Sequence, residues 1–484
     1  MRYSGFEVYE KSINRTNSEK PVEVFMAKRT PPEKPGDFLV VNFGNGENPG
    51  FTGEKFADGV ITAPLSHKNA VILRKLFPFT SPSRVLGKER SFGLGDRLGI
   101  ATPGHIKIFE KYDAWPVFAQ QSIRELKLTN RSYEDVLDAA SFAVFREGFK
   151  KEWGADGDHL KTAKDVKYAL SLGFTMITLD CSDHIKKDIN ASNAPSLPWR
   201  IAEKYLENQF DIGEGVTLHF TETDLRTIYG IYGKAIKFAV RMYRRFLKNG
   251  KYNADFEISI DETSTPTTPL QHYYVARELI DAGVSFATMA PRFCGEFQKG
   301  VDYSGDLNQF NKEIKVHAVI ARHFKYKLSI HSGSDKFSVF PAIGKETRHI
   351  FHVKTAGTNW LEAMRVIAQV DPALYREIHK YALSVFSEAK KYYHVTTDLS
   401  KIPDVDSLAD GDLPKLFENN DSRQLIHITY GLILNKKNSN SKEASFTFKD
   451  KLYDLWQQHG ELYNQLLFRH IGKHLDLLGV KTPI

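Results

Sequence analysis

Asp158 and His159 stand side by side in GADGDHLKT, Asp261 and Glu262 close the run FEISIDE, and His331 and His352 fall in the runs LSIH and IFHVK. A carboxylate that stays ionised beside one that stays protonated supplies a base and an acid to one substrate at neutral pH. Asp158 and Glu262 are the pair read in those roles. Imidazoles brought together from separate elements hold a divalent cation and leave positions open for substrate oxygens. His159, His331 and His352 are the expected set, with His349, His105 and His184 as rivals; His349 replaces His352 if the strand register moves by one pleat. Plainer readings stand beside these. Asp158 would cap the helix that starts near Thr162, Glu262 would be a metal ligand or an ion-pair partner, and the histidines would be hydrogen-bonded core groups.

Arg97, Lys161, Arg292, Lys354 and Arg423 are candidates for meeting a substrate carboxylate, arginine being suited to bidentate contact. Gln121 joins them as a candidate substrate contact. Structural or exposed salt bridges are the plainer reading of each cation.

These residues need elements that converge. From about residue 91 to 361 short apolar runs alternate with helical patterns, the signature of βα units around a parallel sheet. Eight strand stations are expected: Ser91 to Asp96, Pro116 to Gln121, Gly154 to His159, Thr175 to Asp180, Phe256 to Glu262, Phe286 to Pro291, Lys327 to His331 and Ile350 to Lys354. Strand interiors read as apolar and the ends as polar. In a closed (β/α)8 TIM-like barrel those ends meet at one mouth, where such folds keep their chemistry; a doubly wound open sheet is the alternative. The division expected is a β-rich N-terminal cap over residues 1–88, a catalytic barrel over 89–370 with an insertion at 185–250, and a helical C-terminal extension over 371–484. The cap is read from β-like runs near Val22, Phe38 and Gly59, separated by turn material that includes Pro31, Pro32 and Pro35. In the tail, Pro372 to Tyr393 and Leu452 to Leu478 carry apolar residues at helical spacing, and Asn435 to Lys442 reads as a polar loop.

Composition narrows the partners. The 484 residues carry a net charge of +7, with basic and acidic residues mixed rather than blocked into a patch, so nucleic acid is not expected and an anionic small molecule is favoured. Two cysteines argue against a disulfide scaffold and a cysteine-rich zinc module. The opening MRYSGFEVYEKS lacks the layout of a signal peptide, and no apolar run approaches membrane-spanning length, so a cytoplasmic protein without a membrane partner is expected. Gly93-Leu94-Gly95 is followed by Asp96 and Arg97, and no glycine-rich run ends in Lys-Ser or Lys-Thr. A nucleotide site is therefore not supported.

The segments SFGLGDRLGIATPGHI (91–106), PVFAQQSIREL (116–126), GADGDHLKT (154–162), DETSTPTTPLQHYYVARELIDAGV (261–284), LSIHSGSDKFSVFP (328–341) and HVKTAGTNWLEAMRV (352–366) resemble the tagaturonate epimerase family. PLSHKNAVILRKLFPF (64–79) and LIHITYG (425–431) extend the resemblance over nearly the whole chain. It implies an isomerase of hexuronate catabolism that interconverts D-tagaturonate and D-fructuronate with a divalent metal, the candidates being Zn, Mn, Ni, Co or Fe. It also implies Asp158 as proton acceptor, Glu262 as proton donor, and His159, His331 and a histidine of HIFHVKTAG as ligands. The two ketouronates differ at a carbinol one bond beyond the carbon next to the ketone, so a retro-aldol route inverts it where simple proton abstraction does not. Neutral ketohexoses such as tagatose and fructose, an aldose–ketose isomerisation, and catalytically silent binding of sugar acids are the other readings. Asp261 is read as a structural residue behind the site, and the loop that follows it as the piece that orients Glu262.

Overall fold

The computed structural model of the chain describes residues 6–29, 36–438 and 446–482. Eight parallel strands close a barrel: β1 (Arg90–Gly95), β2 (Trp115–Ser122), β3 (Gly154–Leu160), β4 (Met176–Asp180), β5 (Asp255–Ile260), β6 (Thr288–Pro291), β7 (Lys327–Ile330) and β8 (Phe351–Ala356). Each pairs with its sequence neighbour, and β8 returns to β1 in register from Phe351 opposite Arg90 to Ala356 opposite Gly95. That last pairing excludes the open sheet. All eight expected stations are strands, because buried, largely apolar runs between turn signals are stable only when both faces of a parallel sheet are covered.

The connecting helices start where side chains can satisfy free backbone donors. Ser132 and Thr268 form capping boxes with Asp135 and Gln271, and Thr162 caps the helix Ala163–Ser171. In the loop after β5 the run TTPLQ works as a start signal: Thr268 caps and Pro269 takes the first helical position, where its missing N–H costs nothing. Between β4 and β5 lie the helix Trp199–Leu206, a hairpin of Gln209–Asp211 with Thr217–His219, and the long helix Glu222–Phe246. The long helix packs on the helix Pro269–Asp281.

An antiparallel sheet precedes the barrel, with strands in the order Phe6–Val8, Glu23–Arg29, Asp37–Asn42, Val60–Pro64 and Glu54–Ala57. Val24, Met26, Leu39 and Val41 bury one of its faces with Phe142 and Phe145 of the barrel helix Tyr133–Glu147. The expected turn residues Pro31, Pro32 and Pro35 and the end of the 435–442 loop lie outside the described residues. The helices Pro372–Ala389, Asn420–Asn435, Lys449–Gln458 and Gly460–Leu477 pack on the helix after β8, Thr358–Val370, around Trp360 and Trp456. The single helical stretch expected from Leu452 to Leu478 is two helices, broken at His459 and Gly460.

Gly357 joins barrel and helices. It stands at φ +83°, and a Cβ there would lie 2.6 Å from both the Arg97 guanidinium carbon and the His427 ring. The Arg97 side chain is fully buried, bonded to Glu125 and to the His427 carbonyl and lying 3.8 Å from the Tyr430 ring centre. Gly357→Ala meets both the left-handed backbone and a packed ion pair, and is expected to cost about 2 kcal/mol or more. Thermal melting checks this against Gly411→Ala, where a Cβ meets nothing within 4 Å. A clear loss of melting temperature in the first variant alone is the expected outcome.

Candidate active site

The carboxyl ends of the strands open into a cavity of about 370 Å³, lined on the barrel side by Asp158, His159, Asp261, Glu262, His331 and Lys354. A regular strand would send Asp158 and His159 to opposite faces. Here the β3–β4 ladder slips: Gly157 faces Ile177, but Leu160 faces Leu179, so three steps on β3 match two on β4. His159 takes up the extra residue at φ +52°. A bulge of this kind re-aims side chains, and left-handed backbone at a non-glycine residue is strain of about 1–3 kcal/mol held by its surroundings. Both side chains reach the cavity as a result.

Below them the barrel interior is charged rather than apolar, which corrects the expectation for strand interiors. The Lys354 ammonium lies 2.6 Å from Asp156, 2.5 Å from Asp158, 3.3 Å from Glu257 and 2.6 Å from the Thr178 hydroxyl. Burial alone would raise the pKa of Asp158, but Lys354 first, then His159 and His331, hold it below the ordinary carboxylate value. Asp156 has less relief from its burial and is raised to about 6. One cation thus serves three buried acids, and the network stands because each member has a partner.

Glu257 carries this order to the mouth. Its Oε1 accepts from His331 Nε2 at 2.7 Å, and His331 Nδ1 lies 3.2 Å from Asp261 Oδ1; burial would lower the pKa of this ring, but Asp261 and then Glu257 raise it. His159 is arranged the same way: Nδ1 lies 3.3 Å from Asp180 Oδ2, and Nε2 points into the cavity 3.8 Å from Asp158. The two rings stand 4.9 Å apart. Burial would lower the His159 pKa, but Asp158, Asp180, Asp261 and Glu262 together raise it to about 10. Ligand atoms of His159, Asp261 and His331 lie within 4.8 Å of one another, as do those of His159, Asp180 and Glu262. A buried carboxylate on one ring nitrogen with the other nitrogen open is how proteins orient metal-binding imidazoles.

His352 is not part of this group. It shares its face of β8 with Lys354 but lies two residues deeper, level with Ser91, whose hydroxyl meets its Nδ1 at 2.9 Å. Burial takes its pKa down to about 3. The expected strand stopped at Lys354; the real one runs on to Ala356, so His352 falls below the mouth. His349 is no substitute, since it bonds to the Leu478 carbonyl, away from the cavity. Asp261, read as a support, stands in the cluster instead.

The expected anion-binding residues divide. Arg292 and Lys354 line the cavity. Lys161 borders the adjoining pocket and pairs with Asp180 and Asp183, 3.8 Å from Glu262. Arg97 is spent on Glu125, Arg423 on Asp335, and Gln121 is buried outside the cavity lining, its neighbour Gln120 facing inward. Asp158 lies within the strand, and Thr162 itself caps the following helix. Glu125, Lys299 and Tyr393 line the cavity without having been singled out. Glu257 carried a signal, a charge inside an apolar run; Lys299 and Tyr393 carried none.

Comparison with known proteins places these residues in context. The sequence profile of a family described as tagaturonate epimerase matches residues 9–478. A tagaturonate/fructuronate epimerase from Thermotoga maritima is 44% identical over 486 residues, 98% of this chain and 97% of the relative. A native crystal structure of fructuronate-tagaturonate epimerase from Cohnella laeviribosi is 45% identical, with a TM-score of 0.92 over 99% of this chain and 97% of that one. The glycerol complex of the same enzyme is 46% identical, with a TM-score of 0.91 over 98% and 97% of the two chains.

Lys354→Met removes the ammonium that Asp156 and Glu257 share and leaves Glu257 paired with the His331 ring, and breaking a buried network of this kind typically costs about 3–5 kcal/mol. Without the ammonium the Asp156 pKa, already raised to about 6, rises further, and Glu257 loses the first of the groups that hold its pKa down, so both acids favour the protonated form more strongly. Their contribution to stability is then present at low pH and lost as pH rises. The variant is therefore expected to be strongly destabilised at pH 7.5 and closer to the wild type near pH 5, as melting curves at the two pH values will show. An equal deficit at both contradicts the network.

Proposed function

The chain belongs to the tagaturonate epimerase family, and from that premise we propose that it interconverts D-tagaturonate and D-fructuronate with Asp158 as proton acceptor and Glu262 as proton donor beside a divalent cation. The observation that carries the reading is the pair of imidazoles, His159 and His331, each tied to a buried carboxylate and each with a ligand atom within 4.8 Å of Asp261, an arrangement in which a cation would take the place of the ring protons. Two nitrogens and a carboxylate oxygen suit a first-row divalent ion and leave positions for substrate oxygens. Asp261 takes the third place in this assignment, ahead of His352.

A cation held there would supply Lewis-acid polarisation of a carbonyl oxygen. The protein supplies the rest. Asp158, kept ionised by Lys354, takes the proton from the hydroxyl on the carbon to be inverted. With that proton gone the bond to the neighbouring carbon, itself next to the ketone, breaks by retro-aldol cleavage and leaves an aldehyde and an enediolate. The aldehyde turns its other face, the bond re-forms, and Glu262 protonates the new alkoxide. The substrate keeps all its atoms, and the pair is restored when Asp158 releases its proton to solvent and Glu262 takes one up. Lys161, 3.8 Å from Glu262, and the cavity walls keep the two fragments together until they rejoin.

Purified protein is expected to convert D-tagaturonate to D-fructuronate, followed by NMR, to lose that activity on chelation and to regain it with a divalent ion. Asp158→Asn and Glu262→Gln should each lower kcat by about 10²-fold or more with folding intact. Full activity in metal-free protein, or wild-type turnover in both variants, contradicts the assignment.

A further inference from the structure

Lys299 lies in the loop that follows β6, and its backbone is fixed from several sides. The Gln298 side-chain oxygen accepts from the Thr396 N–H and hydroxyl, each at 3.0 Å, and from Gln424 Nε2 at 3.1 Å. Lys336 Nζ donates to the carbonyls of Gln298 and Val301, Gln424 Nε2 to that of Lys299, and Arg423 Nε to that of Gly300 at 2.7 Å. Gly300, at φ +74°, lies against the His427 ring, which a Cβ would meet at 3.1 Å. Residues 298–301 are thus pinned by the C-terminal helices, and Lys299 is held toward the cavity that contains Asp158 and Glu262.

Its ammonium has no hydrogen bond or ion pair among the described residues. Most other cations near the site are committed, Lys354 to three acids, Arg97 to Glu125, Arg423 to Asp335, and Arg292 to the Thr263 carbonyl with Glu296 at 3.5 Å; Arg124, also in the lining, reaches only the Tyr392 carbonyl, at 3.5 Å. Glu125, the acid nearest in effect to Lys299, is already bonded by Arg97 at 3.0 Å. Burial lowers the Lys299 pKa, and the nearby charges of Glu125 and Asp158 offset that cost only in part. Arg124 adds positive charge beside it, its guanidinium lying 4.9 Å from the Tyr393 ring centre.

We propose that Lys299 receives the carboxylate of the sugar acid and is the residue by which this site selects hexuronates over neutral ketohexoses. The proposal rests on the reading of the cavity as the ketouronate site. A preorganised ammonium facing a carboxylate gives a charge-assisted contact that a neutral hydroxymethyl group does not replace.

The test compares wild type, Lys299→Met and Lys299→Arg in kinetics on D-tagaturonate and in calorimetric binding of D-galacturonate and D-tagatose. Lys299→Met is expected to raise KM for tagaturonate at least tenfold while kcat stays within about threefold, and to weaken galacturonate binding at least tenfold while tagatose binding changes by less than threefold. Lys299→Arg should recover most of both losses. An unchanged KM with unchanged galacturonate affinity overturns the proposal, and so does an equal loss of galacturonate and tagatose binding. Absence of any tagaturonate turnover in the wild type would instead refute the epimerase reading. The galacturonate and tagatose affinities of the methionine variant would still decide the role of Lys299.

Discussion

One ammonium group orders the centre of this barrel. Lys354 reaches from β8 to Asp156 and Asp158 on β3, Thr178 on β4 and Glu257 on β5, so a single charge spans half of the closed sheet. A packed apolar layer would fill the same space at less risk, because a buried ion network is stable only when every member is satisfied. The return is directional. Asp158 is held ionised with its carboxylate at the cavity, and Glu257 is held where it fixes the His331 ring. The His331 ring beside Asp261, and the Asp158 carboxylate near it, inherit their positions from the charge below.

A second ring of constraints comes from the C-terminal helices. Arg423 pairs with Asp335 in the loop after β7 and bonds to Gly300 in the loop after β6, while Gln424 holds Gln298 and Lys299. Tyr392, Tyr393 and His394, which follow the helix Pro372–Ala389, form part of the cavity wall. A strand-end loop carries few contacts of its own, and precise placement of a charged side chain needs a rigid support. These helices provide it, so the tail of the chain belongs to the architecture of the site.

Much of this was legible beforehand. The eight strands show because buried parallel strands are continuous apolar runs set off by polar ends, and Asp158, His159, Glu262 and His331 show because they stand at those ends. What escaped is what local pattern does not encode. The bulge that turns Asp158 and His159 to the same side depends on pairing with β4, and nothing in GDHL announces it. His352 lies below the cavity because its strand runs two residues past its expected end, to Ala356, while Asp261 stands beside His159 and His331. Glu257 stands as a charge within an apolar run, and what it does there depends on Lys354 reaching across from β8. Lys299 and Tyr393 reach the cavity through tertiary contacts between segments about a hundred residues apart, for which sequence spacing offers no cue.

The charged core would aim His159 and His331 at a cation shared with Asp261. A crystal structure of the protein soaked with a divalent ion, with the ion located by its anomalous scattering, tests it most directly. The account predicts one strong site bonded to His159, His331 and Asp261, with His352 still bonded to Ser91 below it. An ion coordinated by His352, or bound with His159 and His331 both outside its shell, would contradict it.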